Sequence, residues 1–287
     1  MDRSKTGALE PILYATRGVL SPLNTAFRVL AVGVFLLVAS VGCGRATKKG
    51  LTLAGSTSLQ PFAEKWADAY HARQPGVPIH VQGGGSTAGV QAAISGAAQI
   101  GMSSRPLTPD EALRVTGIPV ARDGIAIVIH PTMPVSDLAL DQVRAIYAGE
   151  IRNWRLVSGR DSPITVITRE EGSGTRAAFE ALVMDRHRIV ASALVQDSTG
   201  AVRQMVASDP AAIGYVSIGL VDASIKALRL HGVEATEANI DSGRYPLVRP
   251  FLFVVPAEPR GVAKDFIDWI TGPEGRELTR REGLLPP

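Results

Sequence analysis

The sequence predicts an α/β fold in which a parallel sheet is flanked by helices. Short β-branched and apolar runs, the length of buried strands, alternate with stretches whose apolar residues recur at helical spacing. The strand ends run into turns of Gly, Ser and Thr that open the following helices. Two longer apolar strands, each closed by proline, stand near 130 and 255, where they would carry the chain from one lobe to a second and back. Ligands of open α/β sheets gather at the carboxyl ends of strands, so function is to be sought in the turns.

Leu51 to Gly55 is the first strand, Ser56-Thr57-Ser58 its turn, and Phe62 to Ala72 has helical spacing. Any of the three hydroxyls can cap that helix, with Pro61 tolerated in its first turn. Val77 to Gln82 is a second strand, followed by Gly83-Gly-Gly-Ser86-Thr87-Ala-Gly89 and a helix start from Val90 to Ser95. Ile100 to Arg105 is a third strand and turn, and Thr108-Pro-Asp-Glu111 has capping-box spacing. Val120 to Pro131 is the first long apolar strand, with Asp123-Gly124 inside it. Val135 to Tyr147 is amphipathic and helical.

Ile164 to Thr168 is β-branched and reads as a buried strand. Arg169-Glu-Glu-Gly172-Ser173-Gly174-Thr175 then turns into a helix whose apolar residues are Ala178, Phe179, Leu182 and Val183. A helix start offers unpaired N–H groups and partial positive charge, and Arg169 adds a planar charged fork, a combination suited to an oxyanion. Taken alone, the stretch reads equally well as an ordinary strand-to-helix turn with Arg169 on the surface. Ala211 to Gly219 is a further buried strand, Tyr245 to Pro256 the second long one, and Val262 to Arg281 is helical.

The chain has 287 residues, 45% of them hydrophobic, which suffices for two lobes. Its net charge of +3 gives no argument for nucleic acid, so any anion site is built locally. The uncharged run Val29 to Gly42 is short for a bilayer span but fits the apolar core of a secretory signal. Small residues before the only cysteine, Cys43, and a polar Gly44 to Gly50 after it, resemble a bacterial lipoprotein signal, with Ser40 a departure from the usual leucine. Residues 1–42 would then be the signal peptide, Cys43 the lipidated first residue and 43–50 a tether. Simple secretion and an uncleaved anchor are the alternatives. The mature chain would hold no thiol and no disulfide.

Taken together and in order, these motifs are similar to those of the phosphate-binding proteins of bacterial phosphate-uptake ABC transporters, in the compact version of that family. They are Leu51-Thr-Leu-Ala-Gly-Ser-Thr-Ser58 with Lys65-Trp-Ala-Asp-Ala-Tyr70, Gln82-Gly-Gly-Gly-Ser-Thr-Ala-Gly-Val90, Ile100-Gly-Met-Ser-Ser-Arg105, Asp123-Gly-Ile-Ala126, Arg169-Glu-Glu-Gly-Ser-Gly-Thr175 and Ala212-Ile-Gly-Tyr215. The resemblance implies a two-lobed periplasmic-binding-protein fold of type II, a Venus flytrap with two hinge crossings. Residues 50–128 with 250–287 would form lobe 1 and 129–249 lobe 2. It also implies a monomer that captures inorganic phosphate and delivers it to ABC permease subunits. The setting would be extracytoplasmic, with the membrane reached through lipid on Cys43 and no nucleic acid, cofactor or metal involved.

Carried over by motif, Thr57, Ser58, Ser86, Ser104, Asp123, Arg169, Ser173, Gly174 and Thr175 would bind phosphate. Longer family members have an aspartate where Ser104 stands, and the compact members' Asp-Gly pair matches Asp123. Phosphate near neutral pH retains a proton and sulfate does not, so a carboxylate accepts from one and repels the other. The alternative for Asp123 is a turn residue or an ion-pair partner of Arg105 or Arg169. Arg105 either touches ligand or orients Asp123.

Catalysis finds no support in the sequence. It has no Gly-x-Ser-x-Gly elbow, no Ser-x-x-Lys and no Walker pattern, and its five histidines lack metal-ligand spacing. The remaining alternatives are a binder of another tetrahedral oxyanion (sulfate, molybdate or tungstate) and a phosphate sensor that delivers to no permease.

Overall fold

The computed structural model describes residues 50–256 and 258–287, so the apolar N-terminal run, Cys43 and the tether through residue 49 lie outside the described residues. The chain begins with β1 (Leu51–Gly55), α1 (Gln60–Arg73), β2 (Ile79–Gly83), α2 (Ser86–Ser95), β3 (Ile100–Ser103) and the single turn α3 (Pro109–Ala112). The long strand β4 (Thr116–Ile129) leads to β5 (Asp137–Leu138), α4 (Leu140–Tyr147), β6 (Thr165–Arg169), α5 (Gly174–Phe179), β7 (Leu194–Gln196) and α6 (Thr199–Ser208). Then come β8 (Ala212–Ser217), β9 (Lys226–Ala227), β10 (Arg229–Leu230) and α7 (Glu237–Asp241). The strand β11 (Val248–Val255) returns, and α8 (Gly261–Thr271) and α9 (Pro273–Arg281) close the chain.

One curled sheet runs β2-β1-β3-β11-β4-β8-β6-β7, with β9 beside β4. Its two ends are parallel, as expected: β1 pairs with β2 and β3, and β6 with β7 and β8. Its middle is not. β11 lies antiparallel to β3 and β4, and β4 antiparallel to β8. The reason is connectivity, because one strand carries the chain out and the other brings it back. β4 pairs with β11 through Gly124 and with β8 from Ile125 onward.

That change of partner divides the core. Val120 and Ala121 pack with Leu51, Leu53, Phe62, Trp66, Ile100, Phe251, Phe253 and Phe266. Ile125, Ile127 and Ile129 pack instead with Tyr147, Trp154, Phe179, Ile213 and Tyr215. The architecture is the two-lobed periplasmic-binding-protein fold. Burial of apolar area at about 25 cal/mol per Å² drives each lobe. In lobe 1, α1 buries Phe62, Trp66 and Tyr70, four residues apart, and Trp66 meets Phe253 edge-on at 5.9 Å.

Three elements are shorter than their periodicity predicts. The helix read from Val135 begins at Leu140, because Asp137 and Leu138 pair with Arg229 and Leu230. The C-terminal helix breaks at Gly272, and Pro273 opens a new one. The helix after Gly174 relaxes into a π turn over Glu180–Met184. Among the described residues no helix is long and apolar enough to cross a membrane.

Candidate functional site

The carboxyl ends of β1, β2, β3 and β6 converge where the lobes meet, and the decorated turns converge with them. In the first turn the hydroxyls divide their work. Ser56 Oγ accepts from Leu59 N–H at 3.3 Å at the helix start, which leaves Thr57 and Ser58 to reach the other lobe. Ser58 Oγ lies 2.6 Å from Thr175 Oγ1 and 2.9 Å from Thr199 Oγ1. Thr57 Oγ1 accepts from Arg169 Nη2 at 3.0 Å.

The second turn approaches lobe 2 along its backbone. Gly85 has φ +88°, and a side chain there would press on Gly172 O and Glu170. Thr87 N–H donates to Gly172 O at 3.1 Å, a backbone bond between lobes. Ser86 Oγ accepts from Ser104 N–H at 3.0 Å and lies 3.2 Å from Ser104 Oγ, so β2 and β3 present their hydroxyls together. Across from them, Ser173 caps α5 by accepting from Arg176 N–H at 3.2 Å. Gly174 follows without a side chain, and a Cβ there would overlap Ser86 Oγ.

Arg169 is buried, and lobe 2 fixes its fork. Nε and Nη2 donate to Glu170 at 2.8 and 2.9 Å, and Nη1 donates to Thr199 Oγ1 at 2.9 Å. Its own N–H donates to Tyr215 Oη at 3.3 Å. Burial pushes the Tyr215 phenol up to about 12, so it stays neutral. The surface alternative for Arg169 is thereby excluded.

Asp123 is fully buried, a lone acid between the two stretches of apolar β4. Its ion-pair partner is neither Arg105 nor Arg169 but Arg249, directly opposite it in the antiparallel register of β11. Arg249 Nε donates to Asp123 Oδ2 at 2.9 Å, and Ser217 Oγ donates to Oδ1 at 2.6 Å. Arg249 Nη1 donates to Thr175 Oγ1 at 2.8 Å. Nη2 lies 2.8 Å from Oδ2 with its N–H directed elsewhere and no hydrogen-bond partner. Burial pushes the Asp123 carboxyl above the ordinary carboxylate range, and Arg249 and Ser217 pull it back.

Arg105 is occupied away from Asp123. Nη1 and Nη2 each donate to Glu111 at 2.8 Å, and Glu111 completes the capping box with Thr108. The arginine fork and its hydrogen bonds hold the Glu111 carboxyl below its usual range, against a smaller effect of burial.

All nine residues singled out in the sequence therefore lie in this cluster, Thr57, Ser58, Ser86, Ser104 and Asp123 facing Arg169, Ser173, Gly174 and Thr175. Arg249, Thr199 and Ser217 were missed. Gln196-Asp-Ser-Thr199-Gly200 repeats the glycine and hydroxyl pattern of the other turns and was readable. Arg249, a lone cation in an apolar strand, mirrors Asp123. Hydroxyls, two arginine forks and one carboxylate suit a tetrahedral oxyanion that still carries a proton. Among the described residues no group of three or more His, Cys, Asp or Glu could hold a metal.

The model of the PBP superfamily domain matches residues 40–274. The chain belongs to the periplasmic-binding-protein superfamily. The phosphate-binding protein PstS of Bacillus subtilis (strain 168) is 30% identical over 284 residues, 92% of this chain and 94% of that one. A phosphate ABC transporter substrate-binding protein from Clostridium perfringens, crystallised with bound phosphate, superposes with TM-score 0.81 at 37% identity. It covers 83% of this chain and 100% of its own. An ABC-type phosphate transport receptor from Vibrio cholerae gives TM-score 0.69 at 36% identity, over 83% of this chain and all of that one. These relatives are substrate-binding transport proteins and not enzymes, and the periplasmic-binding-protein family is extracytoplasmic.

Proposed function

We propose that this chain is the extracytoplasmic phosphate receptor of an ABC transporter, closing on one inorganic phosphate between its lobes. The observation that carries this reading is a buried carboxylate, Asp123, among hydroxyl and arginine donors contributed by both lobes. Thr57, Ser58, Ser86, Ser104, Ser173 and Thr175 donate to the anion, Arg169 supplies fixed charge, and Gly174 lets the backbone come close. Asp123 accepts the phosphate O–H. The hinge lies where β4 and β11 cross, so that lobe 1 ends near Gly124 and resumes near Val248. The ligand favours closure because it bridges donors on both sides.

Delivery is to the transporter's permease subunits. The protein acts as a monomer and is tethered by lipid on Cys43, after removal of residues 1–42, through the 43–50 segment. No cofactor enters this reading.

Calorimetry of the full chain in detergent, titrated with phosphate and separately with sulfate, tests it. One-to-one phosphate binding without sulfate heat is expected, and Asp123→Asn should admit sulfate. Tight sulfate binding by the unaltered protein would move the assignment to another oxyanion. Binding of neither would leave a receptor for a different solute.

A further inference from the structure

A carboxylate placed to accept a proton from its ligand works only while it is ionised, and Asp123 sits where burial favours the neutral acid. Once protonated, it becomes a donor. A neutral carboxyl group can donate to a fully deprotonated oxyanion as readily as to a protonated one, and the rejection of sulfate-like anions disappears. Something in the structure must therefore hold the charge on Asp123.

We propose that Arg249 is the specificity-setting partner of the site, fixing Asp123 as an ionised, aimed acceptor so that fully deprotonated oxyanions are refused. This rests on the phosphate reading above and deepens it. Three observations carry it. The antiparallel register places Arg249 directly across from Asp123, with Nε at 2.9 Å and Nη2 at 2.8 Å from Oδ2. Both side chains are buried, so their attraction is little screened by solvent. And Nη1 continues to Thr175 Oγ1 at 2.8 Å, which ties the acceptor's orientation to the turn that carries the lobe 2 donors.

The other groups facing this pair do not replace the guanidinium. From β8, Ser217 donates a neutral hydrogen bond to Oδ1, and the next residue, Ile218, adds its N–H. Tyr245 gives its hydroxyl to Ile125 O. Burial disfavours the charge on Arg249 and Asp123 opposes that, while Arg169 adds a smaller disfavouring effect at longer range and is itself occupied by Glu170. An arginine never loses its proton at physiological pH, so the charge it imposes is permanent.

The test compares phosphate and sulfate affinity by calorimetry in the full chain in detergent, from mildly acidic to mildly alkaline pH. Arg249→Met should lower the phosphate-over-sulfate ratio by at least about 100-fold, because the missing rejection is that of a polar group built for one proton pattern. Sulfate binding by this variant should be strongest at acid pH and fade as Asp123 ionises. Arg249→Lys keeps a cation and should hold the ratio within about tenfold of the unaltered protein. Asp123→Asn should match Arg249→Met, and the double variant should add little, because the two residues act as one unit.

Carbon-13 NMR of the Asp123 carboxyl in the unaltered chain gives a readout that no variant's folding can confuse, with an ionised group expected at neutral pH. A protonated Asp123 there overturns the proposal. So does an unchanged ratio in Arg249→Met. If the unaltered protein itself binds sulfate as tightly as phosphate, the phosphate reading fails first, and the Arg249 variants are not the cause.

Discussion

Glu111 shows how one side chain beyond the ligand cluster supports it. The carboxylate takes both arms of Arg105 and the N–H of Thr108, while Arg105 also reaches Thr87 Oγ1 at 3.3 Å. The β3 turn that carries Ser103 and Ser104 is thus clamped to the turn that carries Ser86 and Thr87. Because the carboxyl is held below its usual range, its contribution to stability is present above the unfolded value of about 4.3 and is lost as pH falls through the folded one. Glu111→Gln should therefore cost about 2–3 kcal/mol at neutral pH, the worth of charged hydrogen bonds in a largely buried pair. The deficit should shrink toward zero at an acid pH below the folded carboxyl's lowered range, where the unaltered side chain is also protonated. Urea unfolding at both pH values measures this, and a deficit independent of pH would assign the effect to packing.

Glycines at the element ends separate two kinds of close approach, and the distinction yields a prediction. Gly89 in α2 rests on β1 and β3 with backbone on every side, where a Cβ would fall 2.7 Å from both Gly55 Cα and Met102 O. Gly174 instead opens α5 against the Ser86 and Ser104 hydroxyls of the other lobe. Gly89→Ala should lower the melting temperature of the ligand-free protein by several degrees, as overpacking costs about 1–3 kcal/mol. Gly174→Ala should leave that temperature nearly unchanged and weaken phosphate binding at least about tenfold, since only closure is obstructed. The reverse pattern would mean that the clash at Gly174 is met in the ligand-free state as well. The same elements explain what could be read in advance. Four strand-turn-helix units were legible because each carries its strand, its glycine and its hydroxyl within one short stretch. Arg169 was legible for that reason. Arg249 was not, because its partner Asp123 is 126 residues away and only the pairing of β4 with β11 joins them. The start of α4 was misread for a similar reason, since Asp137 and Leu138 find strand partners far along the chain.

At the scale of the whole molecule, the cores of the lobes are joined through two crossing strands, and the turns that meet between the lobes do so through polar contacts. Ser58 with Thr175 and Thr199, Thr57 with Arg169, and Thr87 with Gly172 hold the lobes together. A hydroxyl pair contributes little net stability against water, so these contacts alone favour closure weakly. An anion that gathers donors from both lobes adds the missing free energy, and that energy appears as stability by mass action. At a concentration about 100 times its dissociation constant, a ligand bound only by the folded chain adds about 2.7 kcal/mol. For a chain of this size that corresponds to a rise in melting temperature of about 5–10 °C. Phosphate should produce this rise in the full chain in detergent, and sulfate at equal concentration should not. Paired spin labels on the exposed faces of the two lobes should report a shorter distance over the same phosphate range. An equal rise with both anions would reveal general charge screening instead of capture. A rise with phosphate but no change in distance would mean that the lobes are already closed before the ligand arrives, and that selectivity resides in the preformed cluster around Asp123 and not in the motion.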